Sequence, residues 1–355
     1  MSKYWNPLLR SIQPYIPGEQ PQDKRYIKLN TNENPFPPSP RALEAIRRAA
    51  GEDLRLYPDP DCRELRETLA SSFNLAPEQV FVGNGSDEVL AFSFLAFFDP
   101  GHPILFPDIT YSFYPVYAAL FKIEHRTVPL SADFSLPVEP FLQKNGGIVF
   151  PNPNAPTGKF LPLDKVELIL ERNPESVVII DEAYVAFGGE SAARFVNKYP
   201  NLLITSTFSK SHSLAGLRVG YALGNRELID GLNRVKGSFN SYTLDRLALA
   251  GAKEALLDRE YFEQTRAAVM ATRGKTAERL AALGFEVVPS CANFLFVSHR
   301  TVRASKIYRL LKEKGILVRY FNRPRIDNFL RISIGSDKDM DSLLSAVAET
   351  VSKPQ

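Results

Sequence analysis

Ser206–Tyr221 reads STFSKSHSLAGLRVGY. The apolar run before it, LLIT at 202–205, has the length and composition of a buried strand. Lys210 therefore falls where a strand ends and the chain turns, at the mouth of a sheet. An ammonium is costly to desolvate there, so its pKa falls. A lysine tuned in this way is a nucleophile for an aldehyde. Thr207, Ser209 and Arg218 add two hydroxyls and a fixed cation, a set suited to a phosphate monoester. An aldehyde and a phosphate on one small molecule describe pyridoxal 5′-phosphate. A bare S-x-S-K also describes a surface lysine in a hydroxyl-rich loop, and only the rest of the chain separates the two.

Outward from this stretch, strands and helices alternate. Apolar runs occur at 103–106, 147–150, 177–180, 202–204 and 218–223, with helical patterns between several of them. This alternation predicts an α/β fold with a mostly parallel central sheet and helices on both faces. Residues 1–28, rich in Pro, Gln and charge, read as an extended arm. Residues 29–242 read as a large cofactor-binding domain and residues 243–355 as a smaller α+β C-terminal domain. In the latter, helices are expected at 244–257, 261–283 and 302–314, and strands at 286–288, 293–297 and 330–334. Gly284 and Gly315 serve as helix stops.

A chain of 355 residues can bury a core shared by two domains. Lys+Arg 43 against Asp+Glu 40 gives a formal charge of +3, too balanced for a nucleic-acid partner. Cys62 and Cys291 are far apart and form no C-x-x-C, which fits a reducing cytoplasm. The start, MSKYWNPLLR, lacks an apolar signal core. The longest apolar run, 89–98, is about half the length that crosses a bilayer and reads as a buried helix, so no membrane partner is expected. His102, His125, His212 and His299 are scattered, and no metal site is expected.

Five further segments carry chemistry if they converge on one small molecule. Gly83–Glu88 (GNGSDE) opens a helix whose free N–H groups can hold a phosphate, although Ser86 or Asp87 could equally be an ordinary cap. Tyr111 follows a strand, where an aromatic ring can stack on a pyridine or simply join the core. Pro151–Gly158 (PNPNAPTG) is a stiff loop with free amide side chains, or a plain turn. Asp181 ends the strand VVII, and a buried carboxylate needs a cation. A protonated pyridine nitrogen or an arginine would serve. Arg331 lies inside the apolar strand FLRISI and needs an anion, whether a ligand or a structural partner.

Taken together, N-E-N-P, Y-P, G-x-D-E, T-Y, P-T-G, D-E-A-Y, S-K…A-G-L-R-x-G-Y and L-R-I-S resemble the class II aminotransferases of fold type I. The likeness runs from Gln13-Pro14-Tyr15 to the last helix and is nearest to the histidinol-phosphate aminotransferase family. It implies that Lys210 binds the cofactor covalently, that Asp181 partners the pyridine nitrogen, and that Tyr184 contacts the ring oxygen. It implies stacking by Tyr111 and a phosphate cup made of Gly85, Ser86, Asp87, Thr207, Ser209 and Arg218. Tyr57, in Leu56-Tyr57-Pro58, matches a tyrosine that reaches the cofactor of the neighbouring subunit, which implies a homodimer with shared sites. Tyr15, Arg319 and Arg331 match positions that meet the anionic group of the substrate.

In one place the chain departs from the family pattern. The asparagine usually found directly before the P-T-G proline is Ala155, and Asn154 stands one residue earlier; adjacent side chains in an extended loop diverge, so either Asn154 makes the ring contact or Tyr184 carries more of it. His212 fits an ordinary buried histidine. The activity implied is transamination of an amino phosphate ester, L-histidinol phosphate, with 2-oxoglutarate. Threonine-phosphate decarboxylase, an aromatic aminotransferase and, more remotely, a regulatory domain that binds the cofactor without turnover share parts of the pattern.

Overall fold

The continuous apolar runs are realised as strands of a sheet buried on both faces. The computed structural model describes residues 2–351, so the expected domain end at 355 lies outside the described residues. Among these residues the strands are β1 (Ile27–Leu29), β2 (Val80–Asn84), β3 (Ile104–Pro107), β4 (His125–Val128), β5 (Ile148–Pro151), β6 (Val178–Asp181), β7 (Leu202–Thr207), β8 (Val219–Gly224), β9 (Phe285–Val288), β10 (Phe294–His299), β11 (Ile316–Tyr320) and β12 (Leu330–Ser333). The large sheet has the order β2-β8-β7-β6-β5-β3-β4, and β8 alone in it runs against its neighbours.

Successive residues of the parallel strands point to opposite layers. Ile148, Phe150, Val178, Ile180, Leu202 and Ile204 join one core, with the helices Arg63–Phe73 and Leu163–Arg172. Val149, Ile179 and Leu203 join the other, with the helices Gly85–Phe97 and Arg226–Phe239. The apolar run expected to be a buried helix is the first of these two. Among the described residues no helix is long and apolar enough to cross a membrane.

The smaller sheet has the order β1-β11-β12-β10-β9 and its own core. It moves both domain boundaries drawn from the sequence. Leu29, taken as the start of the large domain, ends β1, which pairs in parallel with β11. A strand of three residues is too short to show a period, so the sequence left it in the arm. The helix Arg246–Leu257, taken as the start of the small domain, buries Ala248, Ala252 and Ala255 in the large-domain core beside Ala42 of the helix Pro40–Ala49. Its small residues allow that close approach: a Cβ on Gly251 would lie 2.9 Å from Ile46.

This topology positions the site. Parallel strands deliver their C-terminal ends to one edge of the sheet, where ligands bind in open α/β folds. Here β2, β3, β5, β6 and β7 lead into Ser86, Thr110, Ala155, Ala183 and Ser209, which line one cavity.

Candidate active site

The cavity is about 270 Å³ and opens between the large sheet, the smaller sheet and the arm. Lys210 lies at its floor, three residues past β7, and its Nζ donates to the carbonyl of Thr31 at 3.1 Å. Burial, reinforced by the nearby Arg331 guanidinium, holds the ammonium down to about 8. Among the described residues no carboxylate is ion-paired with it, so its charge is not locked in place.

At one end the chain builds an anion cup. The helix Gly85–Phe97 begins without a side-chain cap, leaving first-turn N–H groups and the positive end of its dipole free. The hydroxyls of Thr207 and Ser209 are 2.9 Å apart beside it, and Arg218 crosses its start. Two glycines make this possible. Gly85 has φ +77°, and a Cβ there would lie 2.5 Å from Arg218 Nη2. A Cβ on Gly220 would lie 2.3 Å from Ser86 N. Gly85 thus shapes the cup without lining the cavity. The Asp87 carboxylate is taken up by Arg218 at 3.0 Å and by the Tyr111 hydroxyl at 2.7 Å.

Along the cavity floor, Asp181 ends β6 almost fully buried. Its Oδ1 accepts from Ala183 N at 3.1 Å and its Oδ2 from the Tyr114 hydroxyl at 3.2 Å. Burial outweighs these bonds and pushes the carboxyl up to about 6. An acid so placed lacks a cation, which a protonated ring nitrogen would supply. Tyr184 lines the same wall, its ring edge-on to Phe294 and its hydroxyl accepting from Asn32 Nδ2 at 2.9 Å.

At the other end stand Arg319, Arg331 and Tyr15. Arg319 donates to the carbonyls of Ile16 and Pro17, Arg331 to that of Asn30, and Tyr15 stacks on Phe113 with centroids 4.4 Å apart. The arm therefore forms one wall of the cavity.

Of the residues expected at the site, Asn154 is misplaced. It lies outside the cavity, its Nδ2 donating to Ile109 O at 3.0 Å and Thr157 Oγ1 at 2.9 Å, while Ala155 faces in. Adjacent side chains in an extended loop diverge, so one residue of shift turns the amide away. Tyr57 lies outside the cavity of its own chain, 78% exposed and stacked on Tyr242. His212 packs between Phe208 and Phe262 beside Ser211 Oγ, and burial lowers it to about 4. Asn32, Thr110 and Glu33 line the cavity although their place within N-E-N-P and T-Y assigned none of them a role. N-E-N-P was visible as a pattern, but nothing local told what its asparagine would touch.

The donor set fits a flat ring that carries a phosphate. The cup, the floor lysine and the carboxyl line one cavity. Three cavity-lining residues also keep buried polar atoms without a partner among the described residues, Asn30 Oδ1, Thr110 Oγ1 and Arg331 Nε. Residues 24–347 match the family described as aminotransferase class I and II. A histidinol-phosphate aminotransferase of Clostridium acetobutylicum is 55% identical over 351 residues, covering 99% of this chain and 100% of that protein. One of the same name from Clostridium beijerinckii is 53% identical over 355 residues, covering 100% of this chain and 99% of the relative. Among solved structures, the histidinol-phosphate aminotransferase of Sinorhizobium meliloti in complex with pyridoxal 5′-phosphate has a TM-score of 0.90 at 27% identity, covering 99% of this chain and 98% of that one.

Proposed function

The chain belongs to the class I and II aminotransferases and works with pyridoxal 5′-phosphate, and we propose that it transfers the amino group of L-histidinol phosphate to 2-oxoglutarate, giving imidazole-acetol phosphate and glutamate in histidine biosynthesis. The observation that carries the choice of substrate is full-length identity above one half to relatives of that name. Nothing in the comparisons favours the decarboxylase, the aromatic aminotransferase or the non-catalytic domain.

Bound at the cup, the cofactor supplies an aldehyde that captures amines and a ring that takes up negative charge from the reacting carbon. The residues of the chain do the rest. Ser86, Thr207, Ser209 and Arg218 would hold the phosphate, and Tyr111 would cover the ring. Asp181 keeps a proton on the ring nitrogen, since its own buried charge needs that cation. Lys210 Nζ would hold the aldehyde carbon and, as a free neutral amine, would take the proton from the substrate Cα. Its lowered pKa keeps a useful fraction of the amine neutral near pH 7. Tyr184 donates to the ring oxygen, and Tyr15 closes the cavity from the arm.

Arg319 and Arg331 clamp the anion. Histidinol phosphate has no α-carboxylate, so its phosphomethyl group takes the place that the Cα carboxylate of glutamate takes in the second half of the cycle. One pair of guanidiniums then serves both partners.

The active form in this reading is a homodimer in which Tyr57 completes the partner's site. Support comes from the exposure of Tyr57 together with Leu54 and Leu56 beside it. The cytoplasm is the compartment, a reading supported by two unpaired cysteines. Incubation with histidinol phosphate and 2-oxoglutarate tests the whole: glutamate should form. Release of CO2 from threonine phosphate, with no glutamate in the first assay, would overturn it.

A further inference from the structure

We infer that Asn32 is a positioning residue whose amide fixes Tyr184 as an acceptor, so that the phenol proton points into the cavity, toward the ring oxygen of the bound cofactor. The inference rests on the cofactor reading above. It starts from a gap in the cavity wall. Ala155 brings no donor to that wall, and the neighbouring Asn154 spends its amide on Ile109 and Thr157. Tyr184 is left to supply the contact, and a phenol has a single hydrogen to give.

The direction of that hydrogen follows from a chain of bonds. Ser333 Oγ, at the end of β12, accepts the backbone N–H of Asn32 at 2.8 Å. Its own hydrogen then goes to Asn32 Oδ1 at 3.0 Å. With the carbonyl end occupied, the NH2 end of the amide must face Tyr184, and it donates to the phenol oxygen at 2.9 Å. An oxygen that accepts there cannot spend its hydrogen on Asn32, so the hydrogen is free for the cavity that Tyr184 lines. The arrangement is rigid. Asn32 is 1% exposed, its carbonyl accepts from Asn293 Nδ2 at 2.9 Å, and its φ of 57° lies in the left-handed region that asparagine tolerates. The reversed amide would leave Tyr184 donating to Asn32 and the ring oxygen without a donor.

The charged groups that face Tyr184 are Arg331, Asp181 and Asp87. Burial keeps the phenol protonated, Arg331 opposes this and the two carboxylates reinforce it. Tyr184 therefore stays a donor across neutral pH. A hydrogen bond to the anionic ring oxygen stabilises that form and lowers the pH at which the bound cofactor loses its proton.

The test is a pH titration of the visible absorbance of the protein loaded with pyridoxal 5′-phosphate. Asn32→Asp keeps the shape of the side chain but offers Tyr184 an acceptor, turning the phenol proton away. Its titration midpoint should rise by about one pH unit, close to that of Tyr184→Phe. Asn32→Ala should fall between wild type and Asn32→Asp, and it carries the test alone if the aspartate prevents loading. In a Tyr184→Phe background, where there is no phenol to orient, Asn32→Ala should add nothing and Asn32→Asp only the smaller shift of its own charge. A wild-type midpoint in Asn32→Asp or Asn32→Ala overturns the inference. So does a shift by Asn32→Asp that is as large without the phenol as with it, because that is the signature of a merely structural asparagine. A wild-type protein that never develops the visible band would overturn the functional reading and this inference with it.

Discussion

Arg319 and Arg331 are register partners across the antiparallel pair β11–β12, so two guanidiniums project side by side into one end of the cavity. Like charges directly opposite each other on a sheet repel. Among the described residues neither arginine forms an ion pair. They are held instead by carbonyls of the arm and of Asn30, and by the ring faces of Phe294 and Phe321. Burial lowers the pKa of Arg331, and Arg319 opposite adds to that. A fold that tolerates such a pair has left room for an anion between them.

That pairing should separate the two half-reactions. Arg331, the more enclosed, should serve any anionic group on the substrate. Arg319, at the rim with the arm, should matter more for a phosphate dianion, which engages two guanidiniums better than a carboxylate does. Arg331→Ala is expected to weaken both half-reactions and Arg319→Ala the one with histidinol phosphate more. Each lost contact should cost on the order of 2–5 kcal/mol in kcat/KM, because it leaves a desolvated anion unpaired. Single-turnover kinetics with each substrate measure this. Equal losses in Arg319→Ala would remove the phosphate assignment.

Lys210 should carry both the covalent link and a pH signature. With its ammonium lowered to about 8, about a tenth of the side chain is neutral at pH 7, against far less than a hundredth for an ordinary lysine. Capture of added pyridoxal 5′-phosphate by the cofactor-free protein should accelerate with pH and level off above about 8. Lys210→Ala should show neither the borohydride-fixed adduct by mass spectrometry nor turnover. A fixed adduct that persists in this variant would move the assignment to another lysine.

Asp181 should make cofactor binding and stability depend on pH together. A carboxyl whose pKa is higher folded than unfolded favours the fold while protonated. That contribution is complete below its ordinary value of 3.8 and is lost as the pH rises through about 6. In the cofactor-free protein the loss should approach about 3 kcal/mol by pH 8, at about 1.4 kcal/mol per pKa unit. Glu182, raised to about 7 by burial, acts in the same sense in both forms and cancels in their difference. A ring cation beside Asp181 removes the penalty. The gain in Tm on cofactor binding should therefore be larger at pH 8 than at pH 5, and Asp181→Asn should flatten it. An equal gain at both pH values in the unaltered protein would argue against the pairing.

What the sequence made legible was whatever is local. The runs at 147–150 and 177–180 became β5 and β6 to within one residue, and the run at 202–204 became the start of β7, which continues three residues further through the polar Thr205, Ser206 and Thr207, because two-sided burial writes the strand cores as unbroken apolar stretches. Lys210, Asp181 and Ser86 lie at or just past the ends of strands and line one cavity, and a strand end is a feature that the sequence can show. The three-residue β1 was invisible, and so was β4, an edge strand whose His125, Arg126 and Thr127 are exposed. Asn32 shows the other limit. Its partners Tyr184 and Ser333 are 152 and 301 positions away, and no local pattern encodes such a contact. Asn154 and Ala155 show how one residue of register in a loop decides which side chain faces in.

Tyr57 offers a test of the dimer that needs no structure of it. It is 78% exposed, stacks on Tyr242 at 4.5 Å, and its carbonyl accepts from Arg246 Nη2 at 3.1 Å, so its position is fixed although it lies outside its own chain's cavity. If it completes the partner's site, two inactive variants should rescue each other. Lys210→Ala lacks the lysine in both sites, and Tyr57→Ala lacks the tyrosine in both. In a mixed dimer, the site that uses the lysine of the Tyr57→Ala chain receives its tyrosine from the Lys210→Ala chain and is whole, while the other site lacks both. After mixing, unfolding and refolding at equal ratio, half of the dimers are mixed. Activity per chain should then approach about one quarter of wild type, as random pairing of folded partners by mass action requires. If Tyr57 serves its own chain, every site of the mixed dimer lacks one of the two residues. The mixture should then stay at the average of the two parents, which would sink the shared-site reading.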